Sequence, residues 1–142
     1  MFPPPQSLEE VRKLAWQMLA RGAADKKDPF QSLSLVTYDG QRPNPRTVIL
    51  RKFLPQDRTL ICHSDGRASK VRDIQVNPEI AWLGWHPKSR IQLRLFATAQ
   101  LHFEGELWEK EWQRLSATSK LNYSSMLPPA SLIKGPEEGW GS

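Results

Sequence analysis

PRTVILRKF, residues 45–53, sets an aliphatic and β-branched run between one arginine and two further cations. The run reads as a strand. Read as a single strand, its alternation puts Arg46, Val48 and Leu50 on one face and Thr47, Ile49 and Arg51 on the other. The two arginines then leave on opposite faces unless the strand twists or bulges between them. For either one alone, a solvated strand end is the plain reading. The sharper reading is that the bracket of charge serves an anion.

The segments on either side set the fold class. Upstream, SLEEVRKLAWQMLARGAADKKDPF opens with Ser7 and Glu10 in capping-box spacing and places Leu8, Val11, Leu14, Ala15, Met18 and Leu19 on one helical face. That predicts an amphipathic helix of about four turns ending near Gly22. Pro3, Pro4 and Pro5 read as an extended lead-in over residues 1–6. SLSLVTY predicts a strand, Asp39-Gly40 a turn, and QRPNP a loop before the quoted strand. Downstream, RTLICHS predicts a third strand and EIAWLGW a fourth. RIQLRLFATAQLHFE predicts a long fifth strand, bent or shared between sheets, that ends at Gly105. Between the third and fourth strands, a short helix with Val71, Ile74 and Gln75 turned inward stops at Asn77-Pro78. ELWEKEWQRLS predicts a last helix with Leu107, Trp108, Trp112 and Leu115 near one face, and residues 126–142 read as an irregular Pro/Gly-rich tail. Strands joined by hairpins and flanked by helices point to a mainly β protein, an antiparallel barrel with helices packed on it.

Length and composition bound the function. The 142 residues predict one domain with a moderate core, and the hydrophobic share of 39% beside 25% charged residues fits a globular protein. No stretch is apolar and long enough to span a bilayer, so a cytoplasmic, non-membrane protein is expected. A single cysteine, Cys62, excludes an intramolecular disulfide, and three scattered histidines offer no metal-ligand spacing, so no metal is expected. The net charge of +5 suits an anionic ligand or a nucleic acid. The tryptophans at 82, 85, 108 and 112 read as core, Cys62 as an inward-facing small residue, and His86 and His102 as surface or satisfied positions. Glu104 and Glu106, flanking the glycine, read as solvated.

A second chemical feature is HSDGRASK, residues 63–70. It supplies the Ser64 hydroxyl, a glycine turn, the Ser69 hydroxyl and Lys70 at a helix start. Hydroxyls, backbone N–H groups and a lysine at a helix N-terminus suit a phosphate. The plainer reading is that Ser69 or Asp65 only caps the helix. Taken together, the cation-bracketed strand, the His-Ser strand end and the Ser-Lys helix start can converge on one dianion, which favours a phosphorylated ligand.

RTVILRKF, LICHSDGRASKVRDIQVNP and AWLGWHPKSRIQLRLFATA, in that order and spacing, resemble the pyridoxamine 5′-phosphate oxidase family of flavin-binding split barrels. The resemblance covers roughly residues 8–125. It implies an antiparallel split β-barrel homodimer with flavin mononucleotide (FMN) at the dimer interface. It implies cofactor contacts from Arg46 and Arg51, from His63 and Ser64, from Ser69 and Lys70, and from Gln92. Arg51 and Lys70 would pair with the phosphate, and the backbone amides of Val48 and Ile49 would approach the ring system. The chain departs from the oxidase pattern in reading Ser69-Lys70 for Arg-Lys and Arg51 for lysine, and the Trp and Arg of the oxidases' C-terminal substrate segment have no counterpart in the tail. The resemblance therefore implies a flavoprotein, an FMN-dependent oxidoreductase acting on a small molecule, rather than vitamin B6 oxidation in particular. A flavin carrier without turnover and a single-stranded nucleic-acid barrel binding through WLGWHPKSRIQLR are the alternatives.

Overall fold

The computed structural model describes residues 6–114 and 129–132. Helix α1, Leu8–Ala24, starts where expected: the Ser7 Oγ accepts from the Glu10 N–H at 3.1 Å, while the Glu10 carboxylate accepts from the Gln6 N–H at 2.6 Å. Ala15, Met18, Leu19 and Gly22 are its buried residues, a stripe at i, i+3, i+4 and i+7. Leu8, expected on that face, is 87% exposed because it is the first helical residue and precedes the packed turns.

A four-stranded antiparallel sheet in the order β2-β1-β6-β7 forms the main layer. It comprises β1 (Ser32–Tyr38), β2 (Pro43–Ile49), β6 (Glu79–His86) and β7 (Ile91–Thr98). PNP, expected as loop, belongs to β2. Prolines are tolerated there because β2 is a sheet edge. The bonds from the Leu50 N–H to the Gln31 carbonyl and from the Asp39 N–H to the Arg42 carbonyl fix which residues of β2 face β1: the even-numbered ones, 44, 46 and 48. The odd-numbered N–H groups therefore point to the open edge. Pro43 and Pro45 have none, and Thr47 and Ile49 supply the edge's donors.

The quoted run is two strands rather than one. β2 ends at Ile49, and β3 (Lys52–Leu54) pairs instead with β4 (Thr59–Ile61). The hinge is at Leu50 and Arg51, whose N–H groups bond to Gln31 and to Ile61 respectively, both at 2.8 Å. The expected third strand divides likewise at Cys62, after which β5 (His63–Asp65) pairs with β8 (Pro129–Leu132). Leu50, Leu60, Ile61 and Cys62 all have 0% exposure, so each break is anchored by a fully buried residue. β8 corrects the reading of the tail as irregular throughout; residues 126–128 and 133–142 lie outside the described residues. The fifth strand is also shorter than expected, since β7 stops at Thr98.

Helix α2 (Ser69–Val76) packs on β1, and α3 (Glu106–Arg114) begins after Gly105. Leu115 lies outside the described residues. Among the tryptophans, Trp82 is core, whereas Trp85 is 54% exposed, a correction to the core reading; its odd-numbered partners on β6 share the outer sheet face. Trp108 and Trp112 are half-buried and stack on each other with centroids 5.8 Å apart. Cys62 lies in the core as expected.

Gly22 is a packing residue, not the helix stop. A Cβ placed there would come within 2.6 Å of the Phe30 Cβ and 2.7 Å of its backbone, and Phe30 is itself fully buried. Alanine in a helix interior ordinarily stabilises by up to ~1 kcal/mol over glycine. Here Gly22→Ala is expected to destabilise by about 1–3 kcal/mol, because backbone cannot rotate away from the added methyl. Urea unfolding checks the sign, and a stabilised variant would contradict this packing.

Candidate functional site

Arg46 leaves β2 on the inner face, toward α2. Its Nη1 donates to the Thr37 Oγ1 at 2.8 Å and to the Leu35 carbonyl at 3.3 Å, and its Nη2 lies 3.6 Å from the Asp73 Oδ2. That same carboxylate oxygen accepts from the Thr37 hydroxyl at 2.6 Å and from the Asn44 amide at 3.0 Å. Burial pushes the Asp73 carboxyl up, but donation from Thr37 and Asn44 and the Arg46 charge outweigh it and hold it below the ordinary value. Arg46 is thus already committed to a buried network.

Lys70 behaves differently. It sits half-buried in the first turn of α2 and makes no hydrogen bond or ion pair among the described residues. Burial lowers its pKa, and the Arg46 charge lowers it further, against upward pulls from Cys62 and Asp65. Half-burying a cation without a partner costs free energy that an anion would return. The helix N-terminus beside it is equally unsatisfied: the N-cap is Ala68, with no side-chain cap bond. The capping reading of Ser69 and Asp65 is therefore not what forms. Ser69 is exposed at the first helical position, and Asp65 accepts instead from the Arg67 N–H at 2.8 Å.

Arg51 is half-buried at the sheet switch with no side-chain partner among the described residues. Two residues earlier, Ile49 keeps its N–H on the open edge, while the Val48 N–H is turned into the ladder with β1. Of the two amides, only that of Ile49 is oriented to meet a ligand.

His63 and Ser64 face inward. The His63 Nε2 lies 3.2 Å from the Glu111 Oε1 of α3, both side chains being buried, and the Ser64 Oγ donates to the Asp65 carbonyl at 3.0 Å. Gln92 is exposed on β7, opposite Trp85. With two strands between β7 and β2, Gln92 stands roughly 14 Å from the β2 edge within one protomer, at ~4.8 Å per strand. The structure therefore brings together Arg46, Lys70 and the Ser69 helix start, and separates Gln92 from them.

Thr37, Asn44, Asp73 and Glu111 escaped the sequence reading. Glu111 had a signal, since it is four residues from Leu107 and three from Trp108, on the apolar side of α3. Asp73 had almost none: in α2, Gln75 was expected to face inward, and it is Asp73 that does. Among the described residues, no group of three or more His, Cys, Asp or Glu could hold a metal, and no helix is long and apolar enough to cross a membrane.

Comparison with known proteins agrees with this fold. The chain is similar in structure to a pyridoxamine 5′-phosphate oxidase-related, FMN-binding protein of Nostoc punctiforme (TM-score 0.70, 22% identity, covering 90% of this chain and 80% of that one). It is similar to PhzG of Burkholderia lata, solved with tetrahydrophenazine-1-carboxylic acid (TM-score 0.68, 19% identity, 91% and 63% covered). A third similar structure is General Stress Protein 26 of Bacillus anthracis (TM-score 0.60, 16% identity, 84% and 86% covered). Among curated proteins, no sequence matches the chain. The family model for the pyridoxamine 5′-phosphate oxidase FMN-binding domain matches residues 13–103, most of the described chain, and the protein belongs to that family.

Proposed function

We propose that this protein is an FMN-dependent oxidoreductase that holds the FMN phosphate at the start of α2, in a split-barrel homodimer. The observation that carries the reading is Lys70, a half-buried cation without a partner among the described residues, at a helix N-terminus without a side-chain cap. Lys70, the Ser69 hydroxyl and the first N–H groups of α2 would bind the phosphate, and Arg51 would close on it from the sheet switch. The Ile49 N–H would donate to the ring system along the open edge of β2. Arg46 would reach the cofactor only with the part of its guanidinium not spent on Thr37, Leu35 and Asp73. His63 and Ser64 would support that wall from behind. FMN, when bound, supplies two-electron transfer, while the protein orients it and excludes water.

The outer sheet face supports the homodimer. Leu83, Trp85 and Phe96 are exposed on it at 38%, 54% and 53%, with Ile49 at 38% on the same side. Such a patch on a four-stranded sheet suits a second copy. A second copy would also bring its own Gln92 to a cofactor that Gln92 cannot reach within one protomer.

Purified protein mixed with FMN and desalted is expected to keep the flavin bands near about 375 and 450 nm. Arg51→Ala combined with Lys70→Ala should weaken FMN by roughly a hundredfold or more with the fold intact, at about 1.5–3 kcal/mol for each charged contact. A colourless protein, or an unchanged affinity in the double variant, would remove the assignment. Because Lys70 loses its proton more readily than an ordinary lysine, FMN affinity should fall as pH rises, starting below the usual lysine value of ~10.4. Titrations by fluorescence quenching at several pH values read this directly. In sedimentation, the protein should run as a dimer and Trp85→Glu as a monomer with weakened FMN binding; a monomeric parent chain would exclude the shared site.

A further inference from the structure

We propose that Asp73 is a positioning residue of the anion site: its carboxylate fixes Arg46 against α2 and offsets that cation, so that Lys70 and Arg51 are left as the ligand's cations. The inference rests on the anion-site reading above but has its own geometry. Two donors and one cation converge on one oxygen, the Asp73 Oδ2: the Thr37 hydroxyl and the Asn44 amide donate to it, and Arg46 pairs with it at 3.6 Å. The Thr37 hydroxyl is used twice, donating to Asp73 and accepting from the Arg46 Nη1. Asn44 is fixed in turn, since its amide also donates to the Asp39 Oδ2 at 3.1 Å, and Asp39 anchors the β1–β2 turn through the N–H groups of Gln41 and Arg42. A chain of hydrogen bonds therefore runs from the exposed hairpin to the Arg46 guanidinium.

This arrangement gives the cations of the site unequal roles. Arg46 cannot swing toward a ligand without leaving both the Thr37 hydroxyl and the Leu35 carbonyl. Its charge is nonetheless felt at Lys70, together with that of Asp65 and, once ionised, of the Cys62 thiol, while Asp39 and Arg46 are the charged groups that act on Asp73. Removing the charge of Asp73 leaves Arg46 uncompensated beside Lys70. The positive potential at the start of α2 then rises, and a doubly charged anion is held more tightly while Lys70 is harder to protonate. A carboxylate that served only to hold the fold would give the opposite sign for the ligand, because disorder at α2 weakens binding.

The test uses the full chain without flavin, following the Lys70 ammonium by NMR titration, and then the same proteins with FMN and with inorganic phosphate. Asp73→Asn should lower the Lys70 midpoint below that of the parent chain and tighten both ligands by roughly three- to tenfold, with a steeper salt dependence. Thr37→Val, which cuts the same network without changing its charge, should leave the Lys70 midpoint in place even though it costs stability. Arg46→Gln should raise the midpoint, and it decides the matter if Asp73→Asn does not fold. An Asp73→Asn protein with an unmoved midpoint, or Thr37→Val moving it equally, would reduce Asp73 to a structural residue, as would an unmoved midpoint in Arg46→Gln. Failure of the parent chain to bind FMN would sink the proposed function yet leave the Lys70 titration readable, so the two ideas fail separately.

Discussion

Two adjacent N–H groups that bond in different directions hold this architecture together. Leu50 donates to Gln31, at the end of the layer containing β1, and Arg51 donates to Ile61, in the β3–β4 pair. One peptide step thus carries the chain from one sheet to another, with the Leu50 side chain fully buried at the turn. Burial makes the switch rigid: the backbone groups there have no water to fall back on and must keep these partners. Arg51 comes to the junction because the residue before it is anchored in the core. The open edge of β2 ends at the same point, so its last donor, the Ile49 N–H, and the first cation of the next sheet sit close along the chain.

Much of this was legible in the residues, and the parts that were not share a physical cause. The first helix, β1, β6 and the start of α2 are local matters, decided by caps, alternation and an Asn-Pro stop, and these signals act within a few residues. The break inside PRTVILRKF carries no glycine or proline. Its residues are all good strand formers, and what divides them is a choice of partner, Gln31 against Ile61, that lies far off in sequence. Pro43 and Pro45 mislead for a related reason. A proline excludes a central strand but not an edge, and edge position belongs to the sheet rather than to the segment.

The site shows the same division. Arg46, Arg51 and Lys70 are equivalent as letters, three cations near hydroxyls. Their fates differ because, among the described residues, one pairs with a buried carboxylate and the others do not. Asp73 lies among Val71, Ile74 and the strand residues Thr37 and Asn44, in a place where an unpaired carboxylate would be costly. Asp73 tolerates burial through the Thr37 and Asn44 donors together with the Arg46 charge, and Asp73 in turn offsets the burial of Arg46, so neither charge can be read without the other. Pairs of this kind fall 27 residues apart here, beyond the reach of periodicity. Family resemblance names the arginine as a cofactor contact, while the hydrogen bonds show how much of its capacity is already taken.

The two halves of the candidate site also differ in what they demand of the assembly. Lys70 and Ser69 stand at the start of α2 and Arg51 at the switch between β2 and β3, all on one protomer. Gln92 faces away on the outer side of the sheet, beside Trp85 and two strands removed from the β2 edge. An outward-facing glutamine next to an exposed tryptophan is no use to a ligand held at α2 of the same chain. In the proposed dimer it would become useful, because a second copy covering the apolar face would leave a cofactor's phosphate on one subunit and its ring against the other. Cofactor affinity and association would then be linked: each stabilises the other in proportion to the contacts that only the assembled form can make.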